Sequence, residues 1–203
     1  YDYTQRKRVL SELVDKLLHL VTKARSVGVA VSLDAEEADR LDLMLDIYTE
    51  VFLAREMQDW GGFGIVVQAY QKRASYVIDY LTDLAWNQRR RIPVRLVKGA
   101  YWDTEIKRYQ ERGLSGYPVF TRKTATDVSY LACARRMLAS RDAFYPQFAT
   151  HNAYTVAAVL ELAGDHSGYE MQKLYGMGDD LYEELYKQRQ IDVPCRVYAP
   201  VGS

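Results

Sequence analysis

Apolar residues recur at helical spacing over residues 5–25, where Leu10, Leu13, Val14, Leu17, Leu18, Val21 and Ala24 share one face, with Gly28 just beyond as a stop. The period then changes. Residues 29–33 are short, apolar and β-branched, which predicts a strand, and they break into Asp34-Ala-Glu-Glu-Ala-Asp, an acidic run suited to the first turn of a helix. The unit repeats with a helical stripe over 41–52, a glycine turn at 61–64, a strand over 65–69 that carries Gln68 near its end, and a helix over 76–88. Arg89, Arg90 and Arg91 follow as cations suited to a helix C-terminus. A third strand is predicted over 94–97, a short helix over 103–112 closed by Gly113, a loop over 114–118, and a longer helix over 123–138 whose apolar side is Val128, Leu131, Ala132, Ala134 and Leu138. A strand over 145–150 runs into His151 and Asn152 before a helix over 154–163. A strand over 169–174, a helix over 179–187 and a strand over 195–199 complete the pattern. Pro146 and Pro194 lie at strand starts, where a missing amide hydrogen is tolerated.

Six strands separated by helices argue for a parallel α/β architecture with right-handed crossovers, closed either as an open doubly wound sheet or as a (βα)8 barrel. The strand ends favour the barrel. Each strand finishes on or next to a polar group: Asp34, Gln68, Arg95 with Lys98, Thr150 with His151, Gln172 with Lys173, and Tyr198. A barrel brings all of these to one face, whereas an open sheet concentrates its site at one switch point. The pattern begins on a helix and ends on a strand, so a barrel of eight needs two more strands and a terminal helix. The expectation is one barrel domain over residues 1–203, holding about six of eight strands and cut from a longer protein at both ends.

Composition narrows the partners. The chain carries 27 basic and 27 acidic side chains in 203 residues, which gives no general attraction to nucleic acid or an anionic membrane surface. No apolar run approaches the ~20 residues of a membrane span, and the polar first residues are unlike a signal peptide. Cys133 and Cys195 stand far apart and outside any CxxC, which suits a reducing cytosol and two buried thiols.

The stretch from Arg91 to Arg108 concentrates the candidate chemistry: an apolar strand, a glycine turn and a helix start around fixed positive charges. Arg95 sits inside the strand, and guanidinium keeps its charge on burial, so it needs a partner or a task. Asp34, at another strand end, is either that partner or an ordinary helix N-cap. Lys98-Gly-Ala after the strand combines charge with close backbone approach, as a phosphate requires. Neither GxGxxG nor GxxxxGK[ST] occurs, so there is no dinucleotide fingerprint or P-loop. His151 follows a strand and is placed to meet a ligand, whereas His19, in a helix, and His166, in a loop, are expected to serve structure or solvent. Three scattered histidines and two cysteines lack metal-ligand spacing, so no metal is expected. Barrel and Lys-Gly alone would also suit a phosphate-recognising aldolase or isomerase.

Longer motifs carry a resemblance. Asp34-Ala-Glu-Glu-Ala-Asp-Arg-Leu, Val67-Gln-Ala-Tyr-Gln-Lys-Arg, Val94-Arg-Leu-Val-Lys-Gly-Ala-Tyr-Trp-Asp-Thr-Glu-Ile-Lys-Arg, Gly116-Tyr-Pro-Val-Phe-Thr-Arg-Lys, Thr126-Asp-Val-Ser-Tyr-Leu-Ala-Cys-Ala-Arg, Tyr145-Pro-Gln-Phe-Ala-Thr-His-Asn-Ala, Leu174-Tyr-Gly-Met-Gly and Arg196-Val-Tyr-Ala-Pro-Val-Gly together resemble the proline dehydrogenase domain of the bacterial bifunctional proline utilization flavoproteins. The resemblance spans nearly the whole chain in the right order. It implies a distorted (βα)8 barrel that binds FAD without a covalent bond and oxidises L-proline to Δ1-pyrroline-5-carboxylate by hydride transfer to flavin N5, with a quinone as electron acceptor. It implies catalytic roles for Asp34 and Arg95, with Arg95 bonding to N5. Cofactor contacts are implied for Ala35, Gln68, Lys98, Gly99, Ala100, Trp102, Thr150, His151 and Gln172, and a pocket for L-proline or its analogues made by Asp34, Leu174 and Tyr198. The family's first two strands and its last helix, with paired arginines that clamp the proline carboxylate, have no counterpart here. The competing reading is therefore a non-catalytic barrel fragment. The resemblance further implies a pyrroline-5-carboxylate dehydrogenase domain in the longer protein, a cytoplasmic location with peripheral contact to the inner membrane during electron transfer, and no nucleic acid bound by this segment.

Overall fold

Short β-branched and aromatic runs become six strands, β1 (Val31–Leu33), β2 (Phe63–Gln68), β3 (Ile92–Val97), β4 (Phe144–Ala149), β5 (Glu170–Leu174) and β6 (Cys195–Tyr198), in the computed structural model of the chain. They pair in sequence order, every pair parallel. Helix α1 (Arg6–Ser26) precedes β1, and the crossovers hold α2 (Leu41–Leu53), α3 (Ala74–Gln88), α4 (Trp102–Glu111) with α5 (Lys123–Ala139), α6 (Ala153–Ala163) and α7 (Asp179–Arg189). Residues 3–202 are described except His166 and Gln190, so the reading of His166 lies outside the described residues. No described helix is long and apolar enough to cross a membrane.

The side-chain period of two splits each strand between faces. On β3, Ile92, Val94 and Leu96 are buried and alternate with the partly buried Pro93, Arg95 and Val97. The buried set joins Ile65, Phe144, Phe148 and Met171 in one core with Tyr48, Ile78, Leu81, Tyr130 and Met137 of the helices. The other face carries polar rows. Val66, Arg95, Gln147 and Glu170 are register partners across four strands, and Ala149, Gln172 and Arg196 form the row above.

Strands ~4.8 Å apart would place β3 and β6 ~14 Å from each other in a flat sheet. Yet the Arg95 guanidinium lies 5.3 Å from the Tyr198 ring centroid on β6 and 3.0 Å from the carboxylate of Asp34, just past β1. The sheet is therefore curled with its polar face inside, a half-barrel of six parallel strands. Glu170, 2% exposed, anchors the interior: Arg196 grips both its oxygens at 2.7 and 2.9 Å, and Gln147 and Gln172 donate at 2.9 and 2.7 Å.

Three sequence expectations change. The acidic run after β1 does not open a helix: residues 34–37 are loop, a 3-10 turn follows at Ala38–Arg40, and α2 starts at Leu41, so Asp34 is not an N-cap. Arg89 does close α3, but with its backbone: it adopts φ +51° and its N–H donates to the Trp86 carbonyl at 3.0 Å, while the next two side chains turn elsewhere. Arg90 donates to the carbonyls of Phe52 and Trp60, and Arg91 to that of Phe144, which fastens the amino ends of the strands. Cys133 is buried, but Cys195 is only half-buried.

Candidate active site

A cavity of about 700 Å³ opens at the carboxyl ends of the strands. Each strand end contributes: Asp34 and Ala35 after β1, Gln68 of β2, Arg95 and Val97 to Tyr101 at and after β3, Ala149 to Asn152 at and after β4, Met177 after β5, and Tyr198 of β6, with Lys123 at the start of α5. The curl of the sheet is what brings these together.

Arg95 is the fixed charge in this cavity. Its side chain is 15% exposed, whereas that of Asp34, its ion-pair partner, is 70% exposed. The pair is therefore wet on the acid's side and dry on the base's, and as a surface contact it adds little to stability. Asp34 also accepts the backbone N–H of Ala35 at 3.0 Å, which holds the carboxylate at the strand end. The Arg95 Nε is buried with no hydrogen-bond partner, a donor with capacity to spare. Burial raises the pKa of Tyr198, while the nearby Arg95 opposes and Asp34 reinforces that shift.

The other end of the cavity carries two lysines and a glycine turn. Lys98 lies 2.5 Å from one oxygen of Asp127, and Lys123 lies 2.8 Å from the other. Hydrogen bonds from Lys123 and then Lys98 hold the Asp127 carboxyl below its usual range. Gly99 has φ +135°, and a Cβ there would stand 2.5 Å from the Tyr70 ring, so only glycine lets the backbone turn this closely. The buried Thr150 precedes His151, whose Nε2 accepts the Leu174 N–H at 2.9 Å, and Asn152 caps α6 by accepting from Thr155 N at 2.9 Å.

Ten of the expected site residues share this cavity: Asp34, Ala35, Gln68, Arg95, Lys98, Gly99, Ala100, Thr150, His151 and Tyr198. Three are placed beside it. Trp102, 42% exposed, lines an adjacent pocket with Tyr70, Lys98, Gly99 and Lys123, and donates to the Phe120 carbonyl at 2.9 Å. Gln172 is buried on the inner face, its amide donating to Glu170, and Leu174 ends β5 behind His151. Sequence reasoning missed Tyr101, Lys123, Asn152 and Met177 among the lining residues, and Asp127 as the carboxylate shared by two lysines. Asp127 and Lys123 form an i, i+4 pair opening a helix, which in sequence reads as ordinary surface charge. Tyr101 directly follows Lys98-Gly-Ala and was within reach of the same argument.

The residues present suit a flavin dinucleotide. The cavity combines the apolar Ala35, Val97, Ala100 and Ala149 with a buried cation that has an unpaired N–H and with lysines beside a glycine turn.

The proline dehydrogenase family model matches residues 2–203. The bifunctional protein PutA of Klebsiella aerogenes is 52% identical over 209 residues, covering 100% of this chain and 16% of that protein, and proline dehydrogenase 1 of Bacillus subtilis is 30% identical over 188 residues, covering 91% of this chain and 53% of that one. The chain thus spans about a sixth of the length of the PutA relatives it matches. A crystal structure of a mutant of Bradyrhizobium japonicum proline utilization A superposes with a TM-score of 0.95 at 57% identity, over 98% of this chain and 20% of that one. Proline utilization A from Bdellovibrio bacteriovorus, inactivated by N-propargylglycine, gives 0.92 at 33% identity, over 98% of this chain and 21% of that one. A half-barrel with a charged cleft at its strand ends, matched over essentially its whole length by sequence and by backbone, belongs to the proline dehydrogenase family.

Proposed function

We propose that the protein oxidises L-proline to Δ1-pyrroline-5-carboxylate with FAD as its bound cofactor, the first step of proline catabolism, and that the electrons pass on to a quinone. FAD, when bound, supplies the acceptor for the hydride that leaves the substrate. The observation that carries the reading is Arg95: a guanidinium inside a curled sheet, 3.0 Å from Asp34 and beside Tyr198, with a buried donor unpaired. Such a cation, fixed in advance, favours negative charge developing next to it without reorganisation. Asp34 holds the guanidinium from the open side of the cleft, and the hydrogen-bonded Ala35 keeps that carboxylate from swinging away. Gln68 and the apolar Val97 and Ala149 shape the slot, while Trp102 flanks it from the neighbouring pocket. Lys98, Gly99, Ala100, Thr150 and His151 are assigned to the pyrophosphate and adenosine end, and Gln172 supports the inner wall. Leu174 and Tyr198 close the proline pocket with Asp34. In the intact protein a pyrroline-5-carboxylate dehydrogenase domain would consume the product, and delivery to quinone places the protein in the cytoplasm with peripheral contact at the inner membrane.

The test is flavin absorbance of the purified intact protein, followed by anaerobic reduction with proline. Arg95→Met is expected to retain the fold by circular dichroism and to slow flavin reduction by a factor on the order of 10²–10³. Single-turnover reduction near the wild-type rate would remove Arg95 from this role, and a folded, flavin-free protein would favour the non-catalytic reading.

A further inference from the structure

The loop after β4 and the end of β5 meet at a side-chain contact. His151 follows β4, and its Nε2 accepts the backbone N–H of Leu174, the last residue of β5, at 2.9 Å. An imidazole nitrogen that accepts a hydrogen bond carries no proton, so the ring is neutral and its hydrogen sits on Nδ1. The ring has little room to move. A Cβ at Gly178 would come within 3.2 Å of the His151 Cδ2, and Gly178 adopts φ +69°, so the loop after β5 lies against the imidazole at a point only glycine fills without strain. Around this contact the same loops are joined through the backbone: Thr150 N donates to the Gln172 carbonyl at 3.4 Å, and the Tyr182 hydroxyl of α7 donates to the Thr150 carbonyl at 2.9 Å. The charged group that acts on the ring is Lys173 on β5, which is itself paired with Asp179 of α7.

We propose that His151 is a positioning residue for the substrate wall: as the neutral Nδ1–H tautomer it holds the Leu174 amide, and through that bond it couples the cofactor side of the cleft to the side that receives the amino acid. The proposal rests on the reading of Leu174 as part of the proline pocket. His151 belongs to the main cavity, Leu174 ends the adjacent strand, and one N–H to Nε2 bond joins them, so a shift of either residue is felt by the other. Burial and then the neighbouring Lys173 keep the imidazole below its ordinary pKa, which keeps Nε2 free to accept at neutral pH.

Two substitutions separate the ring's two nitrogens. The His151→Gln side chain can place an acceptor near the Nε2 position, whereas the shorter His151→Asn reaches only the Nδ1 position and leaves the Leu174 N–H unpaired. In the intact, flavin-loaded protein, hydrogen–deuterium exchange of the peptide containing Leu174 is expected to quicken about tenfold in His151→Asn and to stay within about threefold of wild type in His151→Gln, since a lost partner exposes the amide. At saturating flavin, KM for proline is expected to rise about tenfold in His151→Asn with kcat changed far less, and to rise in wild type, but not in His151→Gln, as pH falls below the ordinary imidazole pKa of about 6.5. Unchanged exchange at Leu174 in His151→Asn would overturn the proposal, as would a KM that rises equally in both variants. A wild-type protein that proline does not reduce would sink the proline reading and with it the substrate half of the proposal, while the exchange data would still decide whether His151 holds Leu174.

Discussion

Arg95 keeps its charge wherever the fold puts it, and that constraint runs through the neighbouring residues. It is balanced on the open side by Asp34, while the register row beneath continues into Gln147 and Glu170. Glu170 shows how a buried carboxylate stays ionised. Burial alone would raise its pKa, but hydrogen bonds from Arg196 and Gln172 outweigh that effect and hold it below the ordinary value. A depressed carboxylate stabilises the fold above its unfolded pKa of about 4.3, and this contribution is lost as pH falls through the folded value. Glu170→Gln is accordingly expected to cost about 1–3 kcal/mol at pH 7, less than a fully enclosed pair would, because Arg196 is more than half exposed. The difference from wild type should shrink toward pH 3 in chemical denaturation, and Arg196→Met added to Glu170→Gln should cost less than the two singly, because they share one interaction. His151 has the same sign of dependence in a higher pH window. Its neutral form is favoured by the fold, so its contribution is complete above the unfolded pKa of about 6.5 and declines as pH falls from there toward the lower folded value.

Between elements, α4 deserves its place by what it ties together. It starts immediately after the turn that carries Lys98, Gly99 and Ala100, and its buried Glu105 accepts the Ala38 N–H at 2.5 Å, 67 residues away in sequence. Arg108, one turn further on, pairs with Asp39 at 2.8 Å. The helix therefore clamps the loop after β1, which bears Asp34 and Ala35, to the anion end of the cleft. Neither tie was legible in the sequence, because Glu105 and Arg108 read as the solvated face of a short, polar helix. The loop itself was misjudged for the same reason: its acidic residues fit a helix N-terminus, but Asp34 turns to Arg95, and the backbone N–H of Ala38 finds its acceptor on α4 instead. Glu105→Ala leaves that N–H unpaired in a buried position, which is expected to cost about 1–3 kcal/mol in urea denaturation. Faster amide exchange should appear over residues 34–40, while exchange in β3 and β4 stays as in wild type. Equal exchange over 34–40 would mean that the loop is held by its own contacts.

At the scale of the whole molecule, short apolar runs alternating with helical stripes, together with polar strand ends, were enough to expect six parallel strands and to choose a barrel over an open sheet, because parallel pairing makes every strand end on the same side. What the pattern could not supply was the register and which inward side chains the curl brings together, as it brings Arg95 to Tyr198. Curvature is also what divides the cleft into two ends of different character: one dry cation with Asp34 and Tyr198, and one anion end where two lysines share Asp127. This division predicts that the two halves of a bound dinucleotide are held independently. Lys98→Met removes a charge at the anion end and leaves Arg95 untouched, so affinity for FAD is expected to fall about tenfold or more, while affinity for riboflavin, which has no phosphate, stays within about twofold. The loss should diminish at high salt, because the charges at this end are partly exposed and therefore screened. Flavin fluorescence on titration into the apoprotein reads both ligands in the same way. Equal weakening of FAD and riboflavin would show that Lys98 supports the whole cleft, and the two ends would then have to be treated as one site.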